Sequence, residues 1–211
     1  TGLVHENPQG VLFVGAHSWA RKLALRLQNA GFYVTVADSS APNIENAQDE
    51  GLRAYHRNVL TDSIMDEVDF SNIGHVLSLT QNDEVNSLSS LHFKDIFPEE
   101  NIFQLAHPDE KENPDVVTSR LGGHTLFGPE VTYDYLSLLF STGASIYSLD
   151  VKDVEQFRHR LNNMIPLFVI TPDKNLKIWT AESPPALQVG QTVIGLINPA
   201  DEDSIDVSEH A

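Results

Sequence analysis

Short apolar runs alternate with segments of helical periodicity through the first half of this 211-residue chain. The runs that predict strands are Val11–Val14, Tyr33–Asp38, Arg53–His56, His75–Thr80 and Asn101–Ala106. Helical patterns fill the gaps, starting near Trp19, Pro42, Asp62 and Asp83. Parallel strands need crossover helices of this kind, whereas antiparallel strands are joined by tight turns. The alternation therefore predicts an α/β fold, with helices on both faces of a doubly wound parallel sheet.

The segment between the first strand and the first helix keeps part of a phosphate-binding pattern. The Rossmann fingerprint has glycines in the spacing G-x-G-x-x-G and an acidic residue about 20 positions further on. Gly15, His17 and Ala20 occupy those spacings here, and Asp38 ends the second strand. Gly15 suits the tight turn and Asp38 suits a ribose hydroxyl, so the sheet is predicted to be Rossmann-like. The His17 side chain either pushes a phosphate outward or hydrogen-bonds to it.

The residues around this pattern narrow the choice of ligand. The amides that open the helix at Ser18 and Trp19 favour an anion, because helix N-termini carry partial positive charge. Ser39 and Ser40 follow the acidic residue, and no arginine stands beside it to accept a 2′-phosphate. NADP is therefore disfavoured.

Charge and composition exclude other functions. The formal net charge is −17, whereas nucleic acids and anionic lipids are recognised by clustered Lys and Arg, so we expect no nucleic-acid partner. The chain has no cysteine, which removes disulfides and thiolate nucleophiles. No apolar run approaches the roughly 18 residues that a membrane-spanning helix needs.

The pattern changes after His107, where a polar stretch rich in Pro and Gly begins. A strongly apolar helix is predicted from Val131 to Ser141. Strands are then predicted at Ser145–Leu149, Leu167–Ile170, Leu176–Thr180 and Gln191–Ile197. We expect residues 1–10 to be a linker, 11–142 a Rossmann-like nucleotide-binding domain, 143–199 a small β-rich C-terminal module and 200–211 a disordered acidic tail.

Two segments carry a family resemblance. NVLTD (58–62) follows the third strand, and LSLTQNDEVNSLSSLHFKDIF (77–97) runs from the fourth strand into its helix. Both resemble the RCK domain, also called the TrkA-N domain, in the form found in bacterial cation/proton antiporters. The resemblance extends over about Val11 to Ala106. Its most specific element is Asp83-x-x-Asn86 after a strand that ends at Thr80.

The resemblance implies a set of nucleotide-binding residues. The phosphates would face Gly15, Ala16, His17, Ser18 and Trp19; the ribose would face Asp38 and Ser39; the base would border Asn58 and Val59; and the fourth strand would cover the pocket with Thr80, Gln81 and Asn82. His17 and Ala20 depart from the family's glycine pattern, which favours AMP, ADP or ATP over NAD or NADH. Asp83 and Asn86 would serve either the ligand or the local structure.

The function that the resemblance implies is regulation of transport. Such a domain binds an adenine nucleotide and controls a monovalent cation/proton antiporter or a potassium transporter from the cytoplasmic side of the cell membrane. We expect the transporter on the same full-length chain. We also expect a homodimer through the 131–141 helix, with Tyr135, Leu138 and Leu139 buried against a second copy. The alternative is that this helix only covers the sheet of its own chain.

A soluble NAD-dependent oxidoreductase with a degenerate phosphate loop is the alternative function, and a dimerisation module that has lost its ligand is a third. Short-chain oxidoreductases need Tyr-x-x-x-Lys, and no tyrosine here has lysine four residues later. The sequence also has no G-x-S-x-G elbow and no H-E-x-x-H zinc motif. We therefore predict that the chain is not an enzyme.

Overall fold

The structure is a computed structural model that describes residues 8–61, 64, 67–108 and 123–204. Several predicted features lie outside these residues: most of the linker, most of the helix after Asp62, residues 109–122 of the polar stretch, and the tail from residue 205. The chain divides into two compact units between His124 and Thr125. None of the helices in the described ranges is long and apolar enough to cross a membrane.

A six-stranded sheet with the order β3-β2-β1-β4-β5-β6 forms the first unit. Its strands are β1 (Gly10–Val14), β2 (Val34–Asp38), β3 (Arg53–His56), β4 (Ile73–Ser78), β5 (Ile102–Gln104) and β6 (His124–Thr125), whose second residue is already the first residue of the second unit. Neighbours from β3 across to β5 pair in parallel. The predicted doubly wound α/β fold is therefore confirmed. The strand order reverses between β1 and β4, where open α/β sheets bind ligands beyond their carboxyl ends.

Helices of the first unit are α1 (Ser18–Asn29), α2 (Ala41–Asp49) and α3 (Asp83–Phe93). Helix α1 buries Leu23 and Leu27, and Gly31 ends it with a left-handed φ of +95°, as its position in the sequence predicts. All five residues of β1 are buried, as expected for a parallel strand covered on both faces. On one face, Leu12 and Val14 pack in a cluster with Phe93 of α3.

Several predicted bounds in this unit were wrong, and two of them have a clear local cause. Strand β4 ends at Ser78 rather than Thr80, because the side chain of Asn86 binds the backbone of Thr80 in place of a neighbouring strand. Helix α3 ends at Phe93 rather than Phe97, because its final residues close a tighter turn in which Lys94 N–H donates to the Leu91 carbonyl.

A separate antiparallel sheet forms the second unit, with the order β7-β10-β8-β9. Its elements are α4 (Tyr133–Ser141), β7 (Ser145–Asp150), α5 (Val154–Arg160), β8 (Ile165–Ile170), β9 (Leu176–Ile178) and β10 (Thr192–Ile197). This confirms the predicted β-rich module. The boundary falls before residue 142, because Phe127 N–H donates to the Trp179 carbonyl and Ala181 N–H to the Thr125 carbonyl. These bonds tie residues 125–127 to the second unit.

The second unit also departs from prediction at α5 and at the start of the tail. Asp153 caps α5 by accepting a hydrogen bond of 2.7 Å from Gln156 N–H, and Phe157 of this helix is buried in the core. The tail was expected to be disordered from Ala200, yet Pro199–Ser204 forms a 3₁₀ turn. The hydroxyl of Tyr147 donates to Glu202 Oε1 at 2.8 Å and holds this turn.

Candidate functional site

A pocket of about 150 Å³ lies at the carboxyl ends of β1, β2 and β3. Six residues assigned to a nucleotide from the sequence line it: Gly15, Asp38, Ser39, Asn58, Val59 and Thr80. The other lining residues are Val14, Ala37, Arg57, Leu60 and Val85. Parallel strands end at the same edge of a sheet, which brings together residues that are distant in the sequence.

Gly15 turns the chain sharply at the end of β1. Its φ is +108°, and its N–H donates to the Ala37 carbonyl at 2.8 Å. A Cβ at this position would lie 3.4 Å from the backbone of Leu79 and Thr80. Glycine fits both the left-handed backbone and the close approach of the loop after β4.

Asp38 accepts three hydrogen bonds from the protein. Its Oδ2 accepts from Ala16 N–H at 2.8 Å and from Asn43 Nδ2 at 2.9 Å, and its Oδ1 accepts from Ser40 N–H at 2.8 Å. A carboxylate offers roughly four lone-pair positions, so about one remains for a ligand hydroxyl. Asp38 therefore braces the loop after β1 and still offers an acceptor to the pocket.

His17 does not line the pocket. It stands at the N-cap of α1, and its Nε2 donates to the Leu79 carbonyl at 2.7 Å. Its ring centroid is 4.2 Å from that of Trp19. Burial lowers the pKa of His17, and the bond to Leu79 and the charge of Asp38 offset this only in part. Because a carbonyl only accepts, Nε2 carries the proton of a neutral imidazole.

The rest of the predicted phosphate loop also lies away from the pocket lining. Ala16 is fully buried, with its N–H bound by Asp38, and Trp19 is 4% exposed in the core. Ser18 is exposed at the first position of α1. Among the five residues predicted to face the phosphates, only Gly15 lines the pocket described here.

The Asp-x-x-Asn motif organises the loop after β4. Asn86 is buried, its Oδ1 accepts from Thr80 N–H and its Nδ2 donates to the Thr80 carbonyl, both at 2.9 Å. Asn82 caps α3 by accepting from Val85 N–H at 3.0 Å, and Asp83 occupies the first turn, where a negative charge is favoured. Gln81 and Asn82 are exposed and do not line the pocket. The motif therefore has a structural role.

On the opposite wall, Asn58 shapes the turn after β3. Its Oδ1 accepts from Leu60 N–H at 3.0 Å, and the turn places buried Val59 against the pocket. Arg57, which the sequence analysis missed, lines the pocket beside it. Its guanidinium donates to the His56 carbonyl at 2.6 Å and pairs with Glu67.

Arg57 reaches the site because β3 pairs with β2, with His56 opposite Asp38 in the register. The pocket thus has a cation, although no Lys or Arg stands directly beside Asp38 in the sequence. Across the described residues, no group of three or more His, Asp or Glu side chains could hold a metal ion.

Comparisons with known proteins identify a family model and several similar solved structures. The family model of the TrkA-N domain matches residues 11–125. No curated protein matches the chain. One similar solved structure is the NAD(P)-binding domain of an exopolyphosphatase-related protein from Archaeoglobus fulgidus, at 20% identity over 63% of this chain and 95% of that one, with a TM-score of 0.48.

Two further solved structures are similar to the chain. The TrkA-N domain of the inner membrane protein ybaL from Escherichia coli shares 16% identity over 65% of this chain and 98% of that one, with a TM-score of 0.49. The GsuK channel bound to NAD shares 14% identity over 97% of this chain and 39% of that one, with a TM-score of 0.46. The family model spans more than half of the 211 residues, and the chain therefore belongs to the TrkA-N domain family.

Proposed function

We propose that this chain is a regulatory domain that binds an adenine nucleotide and reports it to a membrane-embedded cation transporter. The observation that carries the proposal is the pocket at the carboxyl edge of the first sheet. Six of the twelve residues that the family resemblance assigns to a nucleotide line it together. Membership of the TrkA-N family supports the same reading.

The chemistry of the pocket wall suits adenosine. Val14, Ala37, Val59 and Leu60 provide an apolar surface for the base. Asp38 offers its remaining acceptor position to a ribose hydroxyl, and Arg57 adds a guanidinium that its ion pair with Glu67 compensates in part. The α1 N-terminus follows at Ser18, three residues after Gly15, and helix amides at such a position favour a phosphate.

Calorimetric titration with AMP, ADP, ATP, NAD⁺ and NADH tests the binding, with one variant that fills the pocket. Ser39 is an exposed pocket residue, so Ser39→Trp places a large ring in the site without disturbing the core. Ser183→Trp, at an exposed position of the second unit, is the matched control. We expect the wild type and Ser183→Trp to bind alike and Ser39→Trp to lose about tenfold or more in affinity.

Equal binding by all three proteins would contradict this placement of the site. If the wild type binds none of the five nucleotides, nucleotide binding itself is contradicted. Hydride transfer from NADH to a carbonyl substrate would instead support the alternative of an oxidoreductase. We propose that the chain is not an enzyme and expect no turnover.

For regulation, the nucleotide must bind two arrangements of the domain with different affinities. The proposed partner is a monovalent cation/proton antiporter or a potassium transporter, with this domain on the cytoplasmic side of the membrane. Cation flux through the full-length transporter in vesicles should respond to AMP, and Ser39→Trp should abolish the response. Flux that ignores the nucleotide while binding persists would contradict regulation.

A homodimer through α4 completes the proposal. Leu139 was expected at the interface, but it is only 7% exposed and packs within its own chain, as Leu136 does. Tyr135 and Leu138 are 41% and 59% exposed, and we propose that they contact a second copy. Leu138→Asp should give monomers in a sizing experiment. Val189→Asp, at another exposed apolar residue, should leave the assembly unchanged, and dimers of Leu138→Asp would refute this interface.

A further inference from the structure

We infer that His17 is a specificity-determining residue that restricts the pocket to adenine mononucleotides. It does so by closing the crevice through which the pyrophosphate of NAD would pass. This inference rests on the proposed function, since it names the ligand class of the same pocket. The fold family implies a dinucleotide, and the residues of this crevice do not fit one.

The position of the imidazole is the first observation. The strand order reverses between β1 and β4, and Val14 and Ser78 end these strands opposite each other in the register. The 2.7 Å bond from His17 Nε2 to the Leu79 carbonyl therefore runs from the loop after β1 to the residue after β4. Dinucleotide-binding sheets hold the pyrophosphate here, against the backbone of the fingerprint's second glycine. This chain has an imidazole in that position.

The imidazole is held in place from several sides. The Leu79 carbonyl fixes one edge of the ring, and the buried Trp19 ring contacts it with centroids 4.2 Å apart. Burial lowers the pKa of His17, so the ring is neutral at pH 7 and brings no positive charge to a phosphate. A pyrophosphate would have to break the bond to Leu79 and displace the ring.

The amides that open α1 can serve a terminal phosphate, but the other groups around the ring offer little to a pyrophosphate that crosses the crevice. The N–H of Ala16 already donates to Asp38 at 2.8 Å. Arg21 lies beside the loop, but its guanidinium donates to both carboxylate oxygens of Glu50 at 3.0 Å and to the Ala16 carbonyl at 2.8 Å. A doubly charged pyrophosphate would therefore meet the neutral ring of His17, an Ala16 N–H that already donates to Asp38, and an Arg21 whose charge Glu50 compensates.

The pocket itself lies mainly at the ends of β1, β2 and β3. Its lining comes from the ends of β1, β2 and β3, from Thr80 and from Val85, and none of the lining residues belongs to β5. A second nucleoside would need a site across the crevice, on the β4–β5 side of the sheet. A mononucleotide does not have to cross, since its phosphate ends at the loop after β1.

Two variants of His17 separate the ring's bulk and hydrogen bond from the rest of the site. The backbone of His17, at φ −68° and ψ 171°, is open to any residue, and serine is a favoured N-cap, so His17→Ser is expected to fold. It removes the ring and its bond to Leu79. His17→Gln keeps a side chain of similar length with an amide donor for that carbonyl.

Calorimetric titration with AMP and NAD⁺ is the test. We expect the wild type to bind AMP at least about tenfold more tightly than NAD⁺. His17→Ser should gain about tenfold or more for NAD⁺ while its AMP affinity stays within about threefold. His17→Gln should keep the preference of the wild type.

Comparable affinities of the wild type for AMP and NAD⁺, or an unchanged ratio in His17→Ser, would overturn the inference and leave nucleotide binding intact. Binding of neither ligand by any of the three proteins would instead contradict the proposed function. The two failures are therefore distinguishable.

Discussion

The two sides of the strand-order reversal satisfy their polar groups in different ways. At the ends of β2 and β3, Asp38 keeps an acceptor position, and Arg57 and Val59 line a pocket. At the crevice, His17 and Leu79 satisfy each other. The same Rossmann-like sheet thus has a pocket on one side and, at the crevice, a side chain bonded from the loop after β1 to the residue after β4. The difference lies in a few side-chain bonds rather than in the fold.

The largest expected effect concerns His75 in β4, which is a second buried imidazole in addition to His17. It tests how much the protonation of a buried ring in this sheet destabilises the fold. Burial lowers the pKa of His75 from 6.5 to about 4, although a bond to the Gly10 backbone partly opposes the shift. The unfolded chain binds the proton near pH 6.5 and the folded protein only near pH 4, so acid favours unfolding. Between pH 7 and pH 4 the free energy of unfolding should fall by about 3 kcal/mol through this residue.

Urea denaturation at pH 7 and pH 4 measures this effect. His75→Phe keeps a ring beside Phe103 and cannot titrate, so the drop in its free energy of unfolding should be smaller by that amount. An identical drop in both proteins would show that the protonation of His75 does not lower the free energy of unfolding.

Replacement of Asp38 tests the accessible side. Asp38→Ala removes the carboxylate that would accept the ribose and that holds Ala16 N–H. Losing a charged acceptor costs about 1.5–3 kcal/mol, so AMP affinity should fall by about 10- to 150-fold. Asp49→Ala, at the exposed end of α2, is the matched control. Calorimetry that finds both variants equal to the wild type would remove Asp38 from the site.

The brace under the loop after β4 should have a smaller effect, shared between stability and binding. Asn86→Asp keeps an acceptor for Thr80 N–H but has no amide to donate to the Thr80 carbonyl. The free energy of unfolding should fall by about 1–3 kcal/mol. AMP affinity should also fall, because the loop that carries Thr80 would be held less firmly. Asn46→Asp, on the exposed face of α2, is the control for added charge. An unchanged unfolding midpoint would contradict the bracing role.

The smallest expected effect is that of Arg57, because its guanidinium is more than a third exposed. Arg57→Gln should weaken AMP by about threefold and ATP by more, since a partly exposed charge contributes roughly 0–1 kcal/mol per ion pair. Arg53→Gln removes a neighbouring arginine that lies over the Tyr33 ring, 4.5 Å from its centroid, and should change neither affinity. An equal loss for AMP and ATP would mean that Arg57 does not act through the β- and γ-phosphates.

The parallel sheet and several residues that line the pocket could be predicted from local patterns. Alternating apolar runs and helical segments indicate the crossovers, and Gly15 and Asp38 occupy positions that a phosphate turn and a ribose acceptor require. Asn58 and Val59 were predicted from the family resemblance. They follow the end of β3, which lies next to β2 in the sheet, and so reach the same pocket.

The remaining features depend on contacts between distant parts of the chain. His17 and Leu79 are 62 positions apart, and their bond requires the parallel pairing of β1 with β4. Arg57 enters the pocket only through the register of β2 with β3. The unit boundary depends likewise on the pairing of Phe127 with Trp179. Local periodicity contains none of these pairings.

A crystal structure of the chain with AMP bound tests the central claim most directly. The account predicts a ribose hydroxyl within hydrogen-bonding distance of Asp38, the base against Val59, and the His17 ring still bonded to Leu79. Adenosine outside this pocket would contradict the proposed site. A His17 ring displaced by the phosphate would contradict the closed crevice.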